Sequence, residues 1–188
     1  MKKLLVVAAH PDDELLGCGG TLFYYKKLGY KIKIIFLSDG ESSRNISQEK
    51  KKNLILKREN QAKKVCKLCK FNPPIFGKFP DNKLDSIDLL QIVKFIEKEI
   101  KKFSPEIIFT HNEEDLNIDH KIACKAVVTA TRPSTKTFVR SIYCFETPSS
   151  TENNFSKIKV QFNPNLYIDV SKFIEKKIKY LKICKNEI

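Results

Sequence analysis

Short apolar runs alternate with longer amphipathic segments along this sequence, and that alternation limits the fold more than any other feature. The apolar runs predict strands at KLLVVAA, KIKIIFLS, a weaker PPIFGKF, PEIIFTH, SIYCFE and LYIDV. Apolar residues spaced three and four apart predict helices at 15–28, 48–69, 86–103, 119–130 and 171–184. Because strands separated by helices pair in parallel through right-handed crossovers, we expect an α/β fold: a Rossmann-like, doubly wound, mostly parallel sheet with helices on both faces.

The chain length and composition predict one globular domain spanning residues 1–188. Its 188 residues are 41% hydrophobic, which suffices for one core of ordinary size, and neither a linker nor an internal repeat divides them. No run approaches the roughly 18 apolar residues that a membrane span requires. The first apolar stretch is too short, and too soon followed by acids, for a signal peptide, so we expect a cytoplasmic protein without a membrane span.

The six cysteines do not have the spacing of a disulfide framework. Cys66 and Cys69 form a CxxC pair, but this pair lies within a predicted helix and has neither a second CxxC nor a nearby histidine. A zinc knuckle or a redox pair is therefore disfavoured, and we expect reduced cysteines on helix faces.

The net charge of +13 raises the question of a nucleic-acid partner. Proteins that read bases and phosphates usually rely on arginine forks and stacking aromatics. Only four of the 35 basic residues are arginine, and the lysines are interspersed with glutamate on predicted helix exteriors. The charge therefore indicates solvated helix faces, and we expect no nucleic-acid partner.

Polar residues follow the predicted strands, at the sheet edge where doubly wound proteins bind their ligands. They are His10, Asp39, Glu41, Asp81, His111 and Glu146. A dinucleotide site is disfavoured, because HPDDELLGCGG follows the first strand where GxGxxG would be required, and its two acids would face a pyrophosphate. The sequence therefore predicts another kind of polar site at this edge.

All three histidines lie in two short acidic stretches, AAHPDDE and THNEEDLNIDH. His10 and Asp13 are three residues apart across a strand-to-helix turn, and His120 begins a later helix. Two histidines and one carboxylate leave an open metal position, as in catalytic zinc sites. Asp12 could then take a proton from the activated water. The spacing favours this assignment over the mirrored one, in which Asp12 is the ligand and Asp13 the base.

The order of the motifs resembles one known family. AAHPDDE, GCGGTL, SDGE, KRENQA, FPDNKL and THNEEDLNIDH follow one another as in the LmbE / PIG-L family of metal-dependent N-acetylglucosaminyl deacetylases. The resemblance runs from residue 3 to about residue 184 and includes ETPSSTE and FNPNLYIDVS. It implies a hydrolase that removes the acetyl group from an N-acetylated amino sugar, a small-molecule substrate of the GlcNAc type.

The resemblance also implies roles for individual residues. Zinc, with Fe²⁺ or another divalent metal as the alternative, would be held by His10, Asp13 and His120. Asp12 would be the general base, in agreement with the assignment from spacing. Arg58 in LKREN and Asp81 in FPDN would contact the sugar hydroxyls.

The sequence departs from the family beside the last of these ligands. Many members have His-Pro-Asp-His there, and its first histidine is placed to protonate the leaving amine or to stabilise the oxyanion. This chain reads NIDH, with Asn117 in that place. Asn117 can donate a hydrogen bond but no proton, so we expect it to support the oxyanion while Asp12 or His111 protonates the nitrogen.

Several alternatives stay open at the level of sequence. The protein could hydrolyse another small amide or ester conjugate, or it could be a non-catalytic family member that binds sugar or nucleic acid. Asp115 and Asp119 are equally reachable partners for the second ring nitrogen of His120. Family members generally continue beyond the helix that SKFIEKKIKYLKICKNEI resembles, so either a short member or a trimmed one is expected. The oligomeric state is open as well, with a homo-oligomer among the options.

Overall fold

The computed structural model describes residues 2–133, 139–148, 150–151 and 162–184, in which five strands and five α-helices alternate. In chain order these are β1 (Lys3–Ala8), α1 (Asp13–Lys27), β2 (Lys31–Ser38), α2 (Gln48–Leu68), β3 (Ile75–Phe79), α3 (Leu89–Phe103), β4 (Ile107–His111), α4 (Ile118–Ala130), β5 (Ser141–Phe145) and α5 (Ile174–Leu181). Short 3₁₀ turns at Leu84–Ser86 and Ser171–Phe173 precede α3 and α5.

The five strands form one parallel sheet in the order β3-β2-β1-β4-β5. β1 lies at its centre, with Val6 paired to Ile34 of β2 on one side and to Phe109 of β4 on the other. The predicted doubly wound sheet is therefore confirmed. Strand order reverses between β1 and β4, which is where such sheets leave a crevice at their carboxyl edge.

Helices cover both faces of the sheet, and β1 shows why its sequence is a continuous apolar run. Leu4, Val6 and Ala8 face a core layer formed with α1, α2 and α5. The alternate residues of β1 face a second layer, formed with α3 and α4. A parallel strand buried on both sides has no polar face, which explains the uninterrupted hydrophobicity of LLVVAA. Cys66 and Cys69 belong to the first layer, where burial raises the pKa of both thiols.

One strand prediction was wrong. The segment LYIDV is irregular in the structure, and Tyr167 within it is 79% exposed. Apolar alternation stabilises a strand only where a neighbouring strand accepts its backbone hydrogen bonds, and none of the described strands pairs with this segment. Val170 at its end packs instead against Gly20 of α1. No helix in the described part of the chain is both long and apolar enough to cross a membrane.

Gly17 lets α1 approach the end of β5, and we expect Gly17→Ala to lower the free energy of unfolding by about 1–3 kcal/mol. A Cβ at this position would overlap the ring of Phe145 and lie 2.9 Å from the carbonyl oxygen of Glu146. Chemical denaturation would measure the loss.

Gly19, two residues further along the same helix, offers the matched control. A Cβ there would approach no atom closer than the 3.4 Å to Leu15. Gly19→Ala is expected to be neutral or to stabilise by up to about 1 kcal/mol, because alanine is the better helix former. Equal stabilities for the two variants would contradict the close approach at Gly17.

Candidate active site

A polar cavity of about 400 Å³ opens at the carboxyl edge of the sheet, and the loop after every strand contributes to it. Its lining consists of His10, Asp12, Asp13, Leu16, Gly40, Ser43, Arg44, Arg58, Asp81, Asn82, Asn117, His120 and Ser150. Of the eight residues that the sequence predicts for the site, only His111 is missing from this lining. The parallel sheet thus brings together residues that are far apart in the sequence.

His10, Asp13 and His120 meet at the crevice between β1 and β4. Oδ2 of Asp13 lies 3.3 Å from Nδ1 of His10 and 3.4 Å from Nε2 of His120. The backbone N–H of His10 also donates to this oxygen, at 2.8 Å, which fixes the turn that carries both residues. All three side chains are buried, and their potential ligand atoms lie within 4.8 Å of one another. This is the geometry of a candidate metal centre.

The second ring nitrogen of His10 and that of His120 each face a carboxylate other than Asp13. Nε2 of His10 lies 3.1 Å from Asp119 and 3.2 Å from Asp81, whereas Nδ1 of His120 lies 3.1 Å from Asp115. The sequence left Asp115 and Asp119 as equal candidates for His120, and the structure separates them. Carboxylates in such positions fix the orientation and tautomer of a ligating imidazole.

The ionisation of this group follows from its contacts. Burial lowers the pKa of His120, but the negative charge of Asp13 and the hydrogen bond with Asp115 outweigh it and raise the pKa to about 9. Burial raises the pKa of Asp115, and its bonds with His120 and Thr151 reverse that effect and lower the pKa to about 2. The carboxylate form of Asp115 is thereby favoured beside the imidazole.

Two further sets of three donors in the described residues also lie within 4.8 Å of one another, namely His111, Asp115 and His120, and His10, Asp81 and Asp119. Each reuses one histidine of the first set. His10, Asp13 and His120 form the set whose three members all line the cavity. An ion that a substrate must reach therefore fits the first set best.

Asp12 lies directly before α1 and points into the cavity. Its Oδ2 accepts a hydrogen bond from Nη2 of Arg58 at 3.1 Å, and Nη1 of Arg58 donates to the carbonyl of Gly40 at 2.8 Å. Arg58 is only 6% exposed, so this pair is shielded from water. Gly40 has φ +72°, and a Cβ there would overlap the guanidinium of Arg58. Glycine at position 40 therefore leaves the room that the bond between Arg58 and Asp12 requires. The sequence suggested Arg58 as a sugar contact and did not reveal its bond to Asp12.

Asp81 lines the cavity from the loop between β3 and α3. Its carboxylate accepts a hydrogen bond from Ser43 and lies beside His10. Burial raises the pKa of Asp81, but the bonds with His10 and Ser43 outweigh burial and lower the pKa to about 2. Asp81 therefore offers the cavity a hydrogen-bond acceptor that stays ionised at neutral pH.

Asn117 caps the N-terminus of α4 and lines the cavity. Its Oδ1 accepts from the backbone N–H of Asp119 at 2.9 Å, and its Nδ2 donates to Oδ1 of Asn82 at 3.3 Å. Because a backbone N–H can only donate, the oxygen of the carboxamide must face Asp119. The NH₂ end of Asn117 is thereby directed toward Asn82 at the cavity wall. One of its two N–H groups bonds to Asn82, which leaves the second N–H as a donor at the cavity.

His111 lies behind the cavity rather than in its wall. It is fully buried, its Nε2 accepts from the backbone N–H of Ala9 at 2.9 Å, and its ring stacks on His120 with centroids 3.8 Å apart. Burial lowers the pKa of His111 to about 4, which favours the neutral ring. Its Nε2 also lies 3.3 Å from Oδ2 of Asp13, so His111 supports both His120 and Asp13 from outside the cavity lining.

The loop after β5 carries residues that the sequence did not single out. Ser150 and Thr151 donate to Oδ2 of Asp115 at 3.0 and 2.6 Å, and Ser150 also lines the cavity. Their place in a loop that follows a strand, at the edge where the other polar residues gather, is the signal by which sequence reasoning could have found them. This loop holds the carboxylate that orients His120.

Comparison with known proteins agrees with this geometry. The sequence model of a family described as PIG-L: GlcNAc-PI de-N-acetylase matches residues 5–131, which include His10, Asp12, Asp13 and His120. The chain belongs to the PIG-L family. The resemblance of the motifs to that family is therefore confirmed, and the chain is a member of a deacetylase family.

One curated relative of this PIG-L family member matches it over most of its length. The uncharacterized deacetylase YaiS of Escherichia coli (strain K12) is 27% identical over 154 residues, which cover 79% of this chain and 76% of YaiS.

Two solved structures share the fold of this PIG-L family member. The N,N'-diacetylchitobiose deacetylase of Pyrococcus horikoshii has a TM-score of 0.78 and 18% identity, and covers 100% of this chain and 71% of its own. GalB, the 4-carboxy-2-hydroxymuconate hydratase of Pseudomonas putida KT2440, has a TM-score of 0.79 and 20% identity. The match covers 100% of this chain and 80% of the GalB chain. At such identities the likeness concerns the fold alone, and a hydratase has it too.

Proposed function

We propose that this protein is a zinc-dependent hydrolase that removes the acetyl group from an N-acetylated amino sugar. The observation that carries the proposal is the buried set of His10, Asp13 and His120, placed beside Asp12 in one cavity. Membership of the PIG-L family, which is described as a de-N-acetylase family, supports the same activity, as does the name of the Escherichia coli relative YaiS, a deacetylase.

The residues present fit a divalent ion. The donor set is two imidazoles and one carboxylate, and a carboxylate supports each imidazole from behind. When bound, such an ion would lower the pKa of a coordinated water and polarise the amide carbonyl. Nitrogen and oxygen donors of this kind accept zinc, Fe²⁺ or another divalent metal.

Asp12 is the residue that we assign to proton transfer. Oδ2 of Asp13 faces both imidazoles, whereas Asp12 faces Arg58, and this difference favours Asp13 as ligand and Asp12 as base. Asp12 takes a proton as the water oxygen bonds to the carbonyl carbon. Arg58 keeps its carboxylate oriented while this happens. The C–N bond then breaks, and acetate and the free amine are released.

Asp12 is also the residue best placed to return the proton to the leaving nitrogen. Besides the three proposed ligands, the described cavity lining holds two carboxylates, Asp12 and Asp81. The pKa of Asp81 is lowered to about 2, which makes it a poor proton carrier at neutral pH, and His111 does not reach the cavity. One carboxylate serving first as base and then as acid therefore compensates for the absence of a histidine at position 117.

Asn117 is proposed to donate to the amide oxygen as negative charge develops on it, so Asn117→Ala should lower kcat by about 10²-fold and leave the bound ion in place. Loss of the helix cap complicates the alanine variant, because capping contributes about 1 kcal/mol to stability. Asn117→Asp keeps a capping oxygen and removes the amide donor. An aspartate variant with unchanged turnover would refute the role of Asn117, and acetate release together with metal analysis would measure both effects.

Acetate release from a panel of N-acetylglucosamine conjugates tests the activity itself. The purified protein would be assayed with added zinc, after chelation, and after zinc is restored. Release that disappears with the chelator and returns with zinc is the expected result. No release from any conjugate by protein that carries one ion per chain would overturn the sugar assignment and favour another amide or ester substrate.

A further inference from the structure

The backbone conformation of Asp12 is unusual for a residue that begins a helix. An aspartate at the cap position normally turns its carboxylate back onto the N–H groups of the first helical turn. Asp12 makes no such bond, and its backbone has φ +114° and ψ −25°, in a region that residues other than glycine rarely adopt. Its carboxylate is directed instead to Arg58 at the cavity wall.

A strained conformation of this kind persists only where its surroundings fix it. The carbonyl oxygen of Asp12 accepts from the N–H groups of Leu15 and Leu16, both at 2.9 Å, which ties the residue to the start of α1. These two bonds fix the peptide after the Cα of Asp12. The peptide before it needs a separate partner, because φ and ψ lie on opposite sides of that atom.

Glu14 supplies that partner. Its Oε2 accepts the backbone N–H of Asp12 at 3.0 Å, and its side chain is only 1% exposed. Only one of the two bonds of a capping box is therefore present: the glutamate in the first turn accepts the N–H of the capping residue, whose own carboxylate stays off the helix. Glu14 does not line the cavity, so it is not in contact with a substrate there.

We infer that Glu14 is a positioning residue, which holds Asp12 in its left-handed conformation so that the Asp12 carboxylate faces the cavity rather than the N-terminus of α1. The inference rests on the proposed function in one respect, namely that Asp12 is the group that moves the proton. The contact between Glu14 and Asp12 is itself independent of any activity.

Three substitutions of Glu14 separate its hydrogen bond from its bulk. Glu14→Gln keeps an oxygen acceptor of the same reach. Glu14→Met keeps the length of the side chain without the acceptor, and Glu14→Asp keeps the carboxyl group but withdraws it by one methylene. Glu97→Met, which removes a buried glutamate on α3 outside the cavity lining, is the matched control.

Hydrogen exchange at the Asp12 amide, followed by NMR, tests the contact without any substrate. We expect exchange to be at least roughly 10-fold faster in Glu14→Met and Glu14→Asp than in the wild type. Glu14→Gln and Glu97→Met should keep the wild-type rate. Wild-type protection in both Met and Asp variants would overturn the inference, and the Asp variant carries the test if the Met variant does not fold.

Acetate release tests the consequence for catalysis. Glu14→Met should lower kcat by roughly 10²-fold, with KM and zinc content unchanged, because only the orientation of Asp12 is lost. Turnover should recover in Glu14→Gln. Loss of zinc in Glu14→Met would overturn the inference, because it would show that the substitution disturbs the proposed ligand Asp13 and not only the orientation of Asp12. Absence of acetate release from the wild type would refute the proposed function instead, and the exchange measurement would still decide the role of Glu14.

Discussion

Asp12→Asn is expected to lower kcat for acetate release by about 10³-fold and to leave the bound ion in place. The carboxamide has nearly the shape of the carboxylate, and its oxygen can still accept from Arg58, but it cannot take the proton of the attacking water. Steady-state kinetics and metal analysis on the same preparation would measure both quantities.

The control for this substitution is Asp88→Asn, which removes one negative charge from an exposed position before α3 that does not line the cavity. Its turnover should equal that of the wild type. An Asp12→Asn protein that loses its ion would show that Asp12 and Asp13 exchange roles. A loss of turnover smaller than tenfold would show that another group moves the proton.

His120→Ala is expected to abolish both ion retention and acetate release. The imidazole supplies one of three proposed ligand atoms, and the remaining pair of His10 and Asp13 cannot hold a divalent ion with comparable affinity. Zinc would be measured after dialysis by elemental analysis, and acetate release would be assayed with and without added zinc.

His111→Gln provides the comparison within the same histidine cluster. The carboxamide oxygen can replace Nε2 as the acceptor for the N–H of Ala9, and His111 lies outside the cavity lining. We expect this variant to retain its ion even if its stability falls. Loss of the ion from His111→Gln but not from His120→Ala would exchange the assignments of the two residues.

The sequence predicted the main part of this site because two simple rules coincide there. Residues that follow strands of a parallel sheet meet at one edge, and histidines next to acids in such positions indicate a metal centre. These rules place His10, Asp13 and His120 together without any knowledge of side-chain directions. Asp12 is the proposed base because it is adjacent to a proposed ligand and must point elsewhere.

Details that depend on side-chain direction were beyond the sequence. Asp115 and Asp119 are close to His120 in the chain, yet the first lies before the cap of α4 and the second within its first turn, so they face different histidines. His111 is polar and ends a strand, but it is turned toward the backbone of Ala9. Neither distinction follows from spacing, because each is fixed by packing between elements distant in sequence.

The fold was predictable except where the pairing of strands decides whether a segment becomes a strand. β1 to β5 and the five helices arise from periodicity that is evident in the sequence. LYIDV has the composition of a strand and is not one, because strand formation requires a partner, and the described sheet offers none to this segment. Helix starts also shifted, as at α3, which begins at Leu89 after a short 3₁₀ turn rather than at residue 86.

The separation of the proposed ligands along the chain has a consequence for biosynthesis. His10 and Asp13 lie directly after the first strand, whereas His120 follows them by more than 100 residues. At translation rates of about 5–20 residues per second, the first two would leave the ribosome roughly 5–20 s before the third. During that interval the nascent chain lacks the third donor, and the set closes only when β4 docks beside β1. Capture of an ion by all three donors would therefore wait until β4 and α4 are in place.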